Sequence, residues 1–267
     1  MGRGTGAASV HGSGWVGEGQ GATVSSAELE FDSDVVSSAD MDSTAPVAQP
    51  TFAVDPASSC EVLLVRHGRS ADVVPGSPES ADPVLHPDGV VQVARLADRL
   101  AQKKLHAVYS SHLARARLTA QPLADSRDLE VQIFNDLEEV RLGDWSNGEF
   151  RRRAAIGDPE FLAWSRTGRW DGIPGAEGDD VFRARVAGVI DDLALRHRGE
   201  SIAVVAHGGT IGCYLANVLG IHRSMWMTTE NTSISVVRLA DATPTVVTVN
   251  DCHHLYDPVL GQVQYGS

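Results

Sequence analysis

Short apolar runs alternate with helical patterns along the second, longer part of the chain. Residues 60–65 and 201–206 each have the length and β-branched content of a strand that is buried on both faces. A histidine and a glycine follow each run, with the histidines at His67 and His207. Because strands that alternate with helices are typical of layered α/β folds, residues 60–255 are predicted to form a three-layer α/β/α domain with a mostly parallel central sheet.

The same pattern predicts the other elements of this domain. Helices are indicated at 88–103, at 113–124, along a segment that carries Phe182 and ends at Gly199, and at 210–219. Further strands are indicated at 107–109, 131–134, 233–239 and 245–249. Pro122 is expected to kink or end its helix. Residues 145–178 are polar, arginine-rich and aromatic, which indicates a lid-like excursion with one short helix.

Residues 1–59 differ in composition from the rest of the chain. They are rich in Gly, Ser, Ala and Asp, and they hold eight acidic residues against one basic residue, Arg3, which gives −7 of the total formal charge of −13. Such a segment buries too little apolar surface to offset the entropy lost on ordering, so it is predicted to be a disordered acidic tail. Residues 256–267 are predicted to be a C-terminal tail.

Charge and cysteine content argue against several classes of protein. A net charge of −13 disfavours general nucleic-acid binding and binding to anionic membranes, and no apolar run is long enough to span a membrane. Cys60, Cys213 and Cys252 are widely spaced and match neither a disulfide framework nor a zinc site, which favours a cytoplasmic location. We expect no cofactor and no metal ion, and the sequence leaves the oligomeric state open.

Charged and nucleophilic side chains follow three of the predicted strands. Arg66 adjoins His67 after the first strand, Arg115 begins a helix after the second, and Glu138 and Glu139 follow the third. In an open α/β sheet, ligands bind outside the carboxyl ends of the strands, so these side chains are expected to converge. Fixed positive charge, a nucleophile and an acid are together what the transfer of a dianionic phosphoryl group needs.

Four short motifs occur in order along the domain. They are Arg66-His67-Gly68 followed by Ser70, Ser-Ser-x-Leu-x-Arg-Ala at 110–116, Leu-x-Glu with Gly-x-Trp at 137–145, and Ala-His-Gly-Gly at 206–209. Each motif alone is weakly specific, but the ordered set, each at the end of a predicted strand, resembles the histidine phosphatase superfamily, also termed phosphoglycerate-mutase-like. The resemblance covers about residues 60–255, and it implies the phosphoglycerate-mutase-like α/β fold.

The resemblance implies a role for each matching residue. His67 would be the nucleophile that forms a phosphohistidine. Glu139 would protonate the leaving oxygen and then assist the attack of water, while Glu138 would be solvated. The phosphoryl oxygens would be held by Arg66, Ser70, Arg115 and His207. An imidazole is nucleophilic only when neutral, and two adjacent guanidinium charges are expected to lower the pKa of His67. No metal ion is required, because the arginines would supply the positive charge.

Two departures from the mutase pattern favour hydrolysis. Mutases of this family carry Glu-Ser-x-x-Asn after Arg-His-Gly and an asparagine after the second His-Gly, whereas this chain has Arg69-Ser70-Ala71-Asp72-Val73 and Gly209. The resulting hypothesis is a metal-independent phosphomonoesterase that hydrolyses a small phosphorylated metabolite through a phosphohistidine intermediate. A phosphoglycerate-mutase-type phosphotransferase and an inactive phospholigand-binding module are the alternatives.

Three further features bear on the site. Arg69 either raises the positive potential at the mouth of the pocket or points to solvent. His86 replaces the helix-capping threonine that is usual in the family, and this is expected to reduce local stability. The run 151–153, three arginines, is interpreted as a solvated helix face, with contact to substrate as the alternative. Substrate specificity is expected to reside in the loop at 70–87 and in the excursion at 145–178.

Overall fold

A computed structural model describes residues 58–240 and 243–256. The tails predicted at 1–59 and 256–267 therefore lie outside the described residues, apart from the positions that adjoin the domain. Within the described ranges, one sheet contains six strands: β1 (Cys60–Arg66), β2 (Ala107–Ser110), β3 (Val131–Ile133), β4 (Ser201–Ala206), β5 (Ile234–Ala240) and β6 (Thr243–Asp251).

The order of the strands in the sheet is β3-β2-β4-β1-β5-β6. The first four are paired in parallel, and β5 and β6 extend the sheet through antiparallel pairings. The prediction of a mostly parallel α/β sheet is confirmed. Arg66 of β1 and Ala206 of β4 are register partners, so the segments that follow these two strands emerge side by side.

Helices cover both faces of the sheet. They are α1 (Pro87–Leu100), α2 (Ala114–Asp125), α3 (Glu149–Ala155), α4 (Pro159–Ser165), α5 (Asp179–Arg196) and α6 (Gly208–Val218). Val62 and Leu64 of β1 belong to the hydrophobic cluster that includes α5 and α6. Leu63 and Val65 belong to the cluster that includes α1 and α2, as the alternation of side chains along a strand requires. None of the helices in these ranges is long and apolar enough to cross a membrane.

Two predictions about helices need correction. Pro122 does not end α2, which continues to Asp125, because a proline in the last turn removes one backbone donor while the rest of the turn still forms. The excursion at 145–178 contains two short helices instead of one. Gly157, with φ of 63°, follows α3, and Asp158 accepts a hydrogen bond from the Phe161 backbone N–H at 3.0 Å, which begins α4.

His86 stabilises the start of α1. Its Nδ1 accepts a hydrogen bond from the backbone N–H of Asp88 at 3.1 Å, so the imidazole is an N-cap in place of a hydroxyl group. The expected loss of stability assumed that histidine cannot cap a helix. This assumption is wrong, because a neutral imidazole also presents a nitrogen acceptor.

Aromatic packing and a buried carboxylate attach the excursion to α5. Neighbouring rings of one aromatic cluster lie 5.2–6.4 Å apart between centroids, and its members are Trp145, Phe150, Phe161, Trp164 and Trp170. Asp179, fully buried at the start of α5, accepts a hydrogen bond from the Trp170 backbone N–H at 3.0 Å. The excursion thus shares the hydrophobic core on one face of the sheet.

Candidate active site

Neighbouring strands bring the two strand-end histidines together. Because β1 pairs directly with β4, His67 and His207 emerge next to each other, and their ring centroids are 5.1 Å apart. Both are buried, with 6% and 0% of their surface exposed. His67 lines an open cavity of about 690 Å³, which is within the size range of small-molecule sites, whereas His207 lies beneath the cavity surface.

Hydrogen bonds at both ring nitrogens orient His67. Its Nδ1 lies 2.7 Å from the carbonyl oxygen of Gly68, so Nδ1 carries the ring proton and donates it. Nε2 is then the unprotonated nitrogen, and its lone pair accepts a hydrogen bond from Nε of Arg115 at 3.3 Å. Burial, with the charges of Arg115 and Arg66 added to it, holds the pKa of His67 well below 6.5. Nε2 is therefore in its nucleophilic form at neutral pH.

Two residues that the sequence did not reveal hold the backbone around His67. The Asn231 side-chain amide donates to the carbonyl oxygen of His67 at 2.9 Å. The backbone N–H of Gly68 donates to Oγ1 of Thr119 at 3.0 Å. Thr119 lies one helical turn after Arg115 on α2, and this spacing was a signal that sequence reasoning could have used. Asn231 lies in a loop, where no periodicity marks it.

A serine accompanies His207. Oγ of Ser111 lies 2.7 Å from Nε2 of His207, and Nδ1 of His207 has no hydrogen-bond partner among the residues described. Burial, followed by the charge of Arg115, holds the pKa of His207 well below 6.5. The ring is thus neutral and bears one N–H donor. Ser111 was part of a recognised motif but was not predicted to contact the histidine.

Two guanidinium groups flank His67. Arg66 donates from Nη1 to the backbone carbonyl of Thr229, and its buried Nε lacks a hydrogen-bond partner in the described ranges. Arg115 lies in the first turn of α2. Burial lowers the pKa of both groups, but an arginine remains a cation in proteins. The site therefore places two positive charges beside Nε2 of His67.

Asp82, in the loop before α1, completes the start of α2. Its Oδ1 accepts from the backbone N–H of Ala114 at 2.8 Å and lies 3.8 Å from Nη1 of Arg115. The N-cap residue Leu113 has no side-chain acceptor, so this distant carboxylate does the capping. The contact fixes the helical turn that carries Arg115.

Glu139 lies against the N-terminus of α6. Its Oε2 accepts from the backbone N–H of Gly209 at 2.8 Å, and its Oε1 accepts from that of Val140 at 3.0 Å. A Cβ atom at position 209 would clash with Oε1 of Glu139, so glycine leaves the room that this carboxylate needs. Burial lowers the pKa values of Arg66 and Arg115. The negative charge of Glu139 raises both values and so offsets part of this lowering.

Glu138 makes a different set of contacts. Its Oε1 accepts from Nε of Arg141 at 2.6 Å, and its Oε2 lies 3.7 Å from Nε2 of His112. Both glutamates line the cavity. Glu138 is only 17% exposed and forms an ion pair with Arg141, so the expectation that it is solvated is wrong. Glu139 is held by backbone donors close to the arginines.

The arginine run on α3 divides between the cavity and solvent. Arg151 lines the cavity, and its Nη2 donates to Oγ of Ser70 at 2.9 Å. Arg152 is exposed and pairs with Glu149 at 2.7 Å. The interpretation of 151–153 as a solvated face is correct for Arg152, and Arg151 is exposed too but lies at the cavity. It is wrong for Arg153, which is only 20% exposed and has its guanidinium group 5.0 Å from the centre of the Trp145 ring.

Arg69 is neutralised by carboxylates. Its Nη1 donates to Oδ2 of Asp88 at 2.5 Å, and its Nη2 lies 3.6 Å from Oδ1 of Asp72. Arg69 lines the cavity and does not extend into solvent, since its side chain is only 16% exposed.

The structure thus gathers most of the predicted site residues around one cavity. Those that line it are Arg66, His67, Ser70, Arg115 and Glu139. His207 touches this set through its ring contact with His67. A basic, partly buried cavity with a neutral imidazole and a carboxyl group is suited to the binding and transfer of a phosphoryl group.

Comparisons with known proteins agree with this chemistry. The family model of the histidine phosphatase superfamily (branch 1) matches residues 62–252. Phosphoglycerate mutase-like protein 4 of Arabidopsis thaliana is 32% identical over 211 residues, which cover 77% of this chain and 91% of the relative. A metal-independent phosphoserine phosphatase of the same plant is 30% identical over 203 residues, which cover 73% of this chain and 83% of the relative.

A solved structure shows the same fold. The native structure of a mycobacterial glucosyl-3-phosphoglycerate phosphatase superimposes with a TM-score of 0.62 and 23% sequence identity, covering 72% of this chain and 99% of that protein. The match to the family model spans well over half of this chain. The chain therefore belongs to the histidine phosphatase superfamily, branch 1, and is a phosphoric monoester hydrolase.

Proposed function

We propose that this enzyme hydrolyses small phosphorylated metabolites without a metal ion, through a phosphohistidine on Nε2 of His67. The observation that carries the proposal is the 2.7 Å hydrogen bond from Nδ1 of His67 to the Gly68 carbonyl oxygen. It assigns the proton to Nδ1 and leaves the Nε2 lone pair for attack on phosphorus.

Positive charge around Nε2 supports the binding of the phosphoryl group. Arg66 and Arg115 supply cationic N–H donors, and Nδ1–H of His207, which has no hydrogen-bond partner among the described residues, is a neutral donor. Charge-assisted hydrogen bonds to phosphate are stronger than neutral ones, and a guanidinium group matches two phosphoryl oxygens at once. Ser70 lines the same cavity and is a further donor.

In the first step, Nε2 of His67 attacks phosphorus and forms the P–N bond while the ester P–O bond breaks. The leaving oxygen takes its proton from the carboxyl group of Glu139. The phosphoryl charge is held throughout by the two arginines. The products of this half-reaction are the free alcohol, the phosphohistidine and the Glu139 carboxylate.

In the second step, water replaces the alcohol. Glu139 removes a proton from the water as its oxygen attacks phosphorus, the P–N bond breaks, and inorganic phosphate leaves. His67 returns to the neutral imidazole and Glu139 to the acid. The same carboxyl group thus acts first as acid and then as base.

Metal independence has two supports. Arg66 and Arg115 place two fixed cations beside the nucleophile, which is the charge that a divalent ion supplies in other phosphoryl-transfer sites. One relative, at 30% identity, is named as a metal-independent phosphoserine phosphatase.

We also propose a cytoplasmic location, which is supported by free thiols at Cys60, Cys213 and Cys252.

The test is a phosphate-release assay with EDTA present. The substrates are p-nitrophenyl phosphate and a panel of sugar and glycerate phosphates, and the enzymes are wild type and His67→Ala. Hydrolysis that disappears in His67→Ala, together with a mass gain of one phosphoryl group on the trapped wild-type protein, supports the proposal. Isomerisation of 3-phosphoglycerate without phosphate release would favour a mutase. Phosphate binding with no turnover on any ester would favour a binding module.

A further inference from the structure

A buried ion pair supports the segment that carries Glu139. Arg185, on the second turn of α5, and Glu177, near the end of the excursion, have side chains that are only 8% and 6% exposed. A fork of hydrogen bonds joins them, from Nη2 to Oε1 at 2.5 Å and from Nε to Oε2 at 3.1 Å. Arg185 is not among the described residues that line the cavity, so the mechanism above gives this pair no role.

The other donors of Arg185 hold the backbone on both sides of Glu139. Nη1 donates to the carbonyl oxygens of Asp136 at 2.8 Å and Glu138 at 3.1 Å, and Nη2 donates to that of Glu139 at 3.4 Å. Together with the two contacts to Glu177, these bonds use all five N–H donors of the guanidinium group. The hydrogen bonds of Arg185 are therefore divided between its ion-pair partner and the chain around Glu139.

These contacts fix the direction of the Glu139 side chain. The carbonyl groups of Glu138 and Glu139 belong to the two peptide planes that meet at Cα of Glu139, and the orientation of both planes sets where its Cβ points. Oγ1 of Thr210 donates to the same Glu138 carbonyl oxygen at 3.0 Å. The second plane also contains the backbone N–H of Val140, which donates to Oε1 of Glu139 at 3.0 Å. Arg185 thus holds the peptide unit that binds the carboxylate.

We propose that Arg185 is a positioning residue for Glu139, and that its ion pair with Glu177 holds the carboxyl group where it protonates the leaving oxygen. The inference rests on the proposed function, because it takes Glu139 as the acid of that mechanism. A catalytic group displaced by about 1 Å can lose about 100-fold in rate, so the support of the acid affects proton transfer directly. Glu177 also accepts from the backbone N–H of Arg141 at 2.9 Å, which joins the start of the excursion to the same support.

The experiment compares phenyl phosphate with p-nitrophenyl phosphate. The two esters differ only in the nitro group, but phenolate leaves less readily than nitrophenolate and depends more on a proton from the acid. The ratio of their kcat/KM values therefore measures proton transfer to the leaving oxygen. We expect Arg185→Met to lower the phenyl-to-nitrophenyl ratio about 10-fold, in the same direction as Glu139→Gln. Arg185→Lys keeps the charge without the fork and should give an intermediate ratio.

Two further variants separate positioning from stability. Arg183→Met is the matched control, because Arg183 lies on the same helix, is only 17% exposed and donates to the carbonyl oxygen of Ile221 at 3.0 Å, away from Glu139. It should lower stability, measured by urea titration, and leave the ratio unchanged. Arg185→Met combined with Glu177→Met leaves no unpaired charge buried, so it should be more stable than Arg185→Met alone. Its ratio should nevertheless stay low.

A wild-type ratio in Arg185→Met or in the double variant, beside a lowered ratio in Glu139→Gln, would overturn the inference. An equal fall of the ratio in Arg183→Met would also overturn it, because instability would then account for the effect. A wild-type protein that hydrolyses neither ester, or an unchanged ratio in Glu139→Gln, would instead overturn the proposed function. In that case NMR of the Gly209 backbone amide, which donates to the Glu139 carboxylate at 2.8 Å, still tests Arg185. An unchanged amide resonance in Arg185→Met would refute the positioning role.

Discussion

The Ser111 hydroxyl lies 2.7 Å from Nε2 of His207, and this contact decides which nitrogen of the imidazole carries the proton. The backbone N–H of Leu113 donates to Oγ of Ser111 at 3.3 Å, and Nε2 of His207 is the acceptor that the described residues offer to the buried hydroxyl proton. The ring proton of His207 then resides on Nδ1, the atom without a hydrogen-bond partner in the described part of the chain. In the proposed function, Ser111 would therefore prepare His207 as a donor to a phosphoryl oxygen.

Ser111→Ala should reduce both stability and activity. The buried Nε2 loses its partner, so we expect the free energy of unfolding to fall by about 1–3 kcal/mol. Because the tautomer of His207 is no longer fixed, kcat/KM should fall about 10-fold. Urea titrations and steady-state kinetics measure the two effects. The control is Ser110→Ala, which removes a buried hydroxyl that donates to the Ser111 carbonyl oxygen at 2.9 Å. Equal losses of activity in both variants would contradict the role of Ser111.

Glu139→Gln should affect esters according to their leaving groups. A poor leaving group, such as an alkyl alcohol, needs a proton from the acid, whereas nitrophenolate leaves readily without one. We expect alkyl esters to slow by about 100-fold or more and nitrophenyl phosphate by much less in the first half-reaction, as general acid catalysis requires. Rapid-quench kinetics on both esters measure this. Glu138→Gln, which removes the ion pair with Arg141, should slow both esters equally and slightly. Equal slowing by Glu139→Gln would remove it from the acid role.

Gly209→Ala should displace the Glu139 carboxylate. The added Cβ clashes with Oε1, and the side chain must leave the backbone N–H of residue 209. We expect the kinetic signature of Glu139→Gln, with selective slowing of alkyl esters. The matched control is Gly188→Ala in α5, where a Cβ meets nothing within 4 Å. It should leave the kinetics unchanged and stabilise the fold by about 0.5–1 kcal/mol. Normal alkyl-ester kinetics in Gly209→Ala would refute the steric argument.

Two buried neutral imidazoles should make stability depend on pH below 6.5. Burial and the neighbouring guanidinium charges hold the pKa values of His67 and His207 well below 6.5, whereas both are near 6.5 in the unfolded chain. Their contribution is favourable above pH 6.5 and is lost as the pH falls, because the unfolded state then binds more protons. The slope reaches about 1.4 kcal/mol per pH unit for each imidazole.

Urea titrations between about pH 5 and pH 7.5 measure this slope. His67→Asn should make it shallower, because one of the imidazoles with a lowered pKa is gone, while His207 and His254, whose pKa burial lowers to about 4, remain. His222→Asn, at an exposed position, is the control and should retain the wild-type slope. Identical slopes in all three proteins would show that His67 is not a buried neutral group.

The strand-end residues could be predicted because local pattern and sheet geometry act together. Apolar runs such as 60–65 and 201–206 are diagnostic of buried strands, and the carboxyl ends of parallel strands share one edge. His67 and His207 could therefore be placed in one site although they are far apart in sequence. Arg115 followed for the same reason, since it opens the helix after β2.

Loop residues in the site could not be predicted, because their position depends on the packing of distant segments. Asn231 reaches the His67 carbonyl oxygen across 164 residues, and Asp82 caps a helix that begins 32 residues later. No periodicity encodes such contacts. Arg151 resembled the exposed Arg152 in sequence, and only the docking of α3 against the loop after β1 separates their roles.

The pairing of β1 with β4 sets the distance between His67 and His207. Adjacent strands lie about 4.8 Å apart, and the rings of His67 and His207, one on each strand end, lie 5.1 Å apart. Backbone hydrogen bonds set this spacing, and no loop length enters it. Changes in the segments at 70–87 and 145–178 can therefore admit a different alcohol at constant histidine spacing only where they spare Asp82, which caps the helix carrying Arg115, and the buried aromatic rings of the excursion. For an enzyme designer, the sheet fixes the two histidines, and the loop positions that neither cap α2 nor pack in the core are the ones open to change.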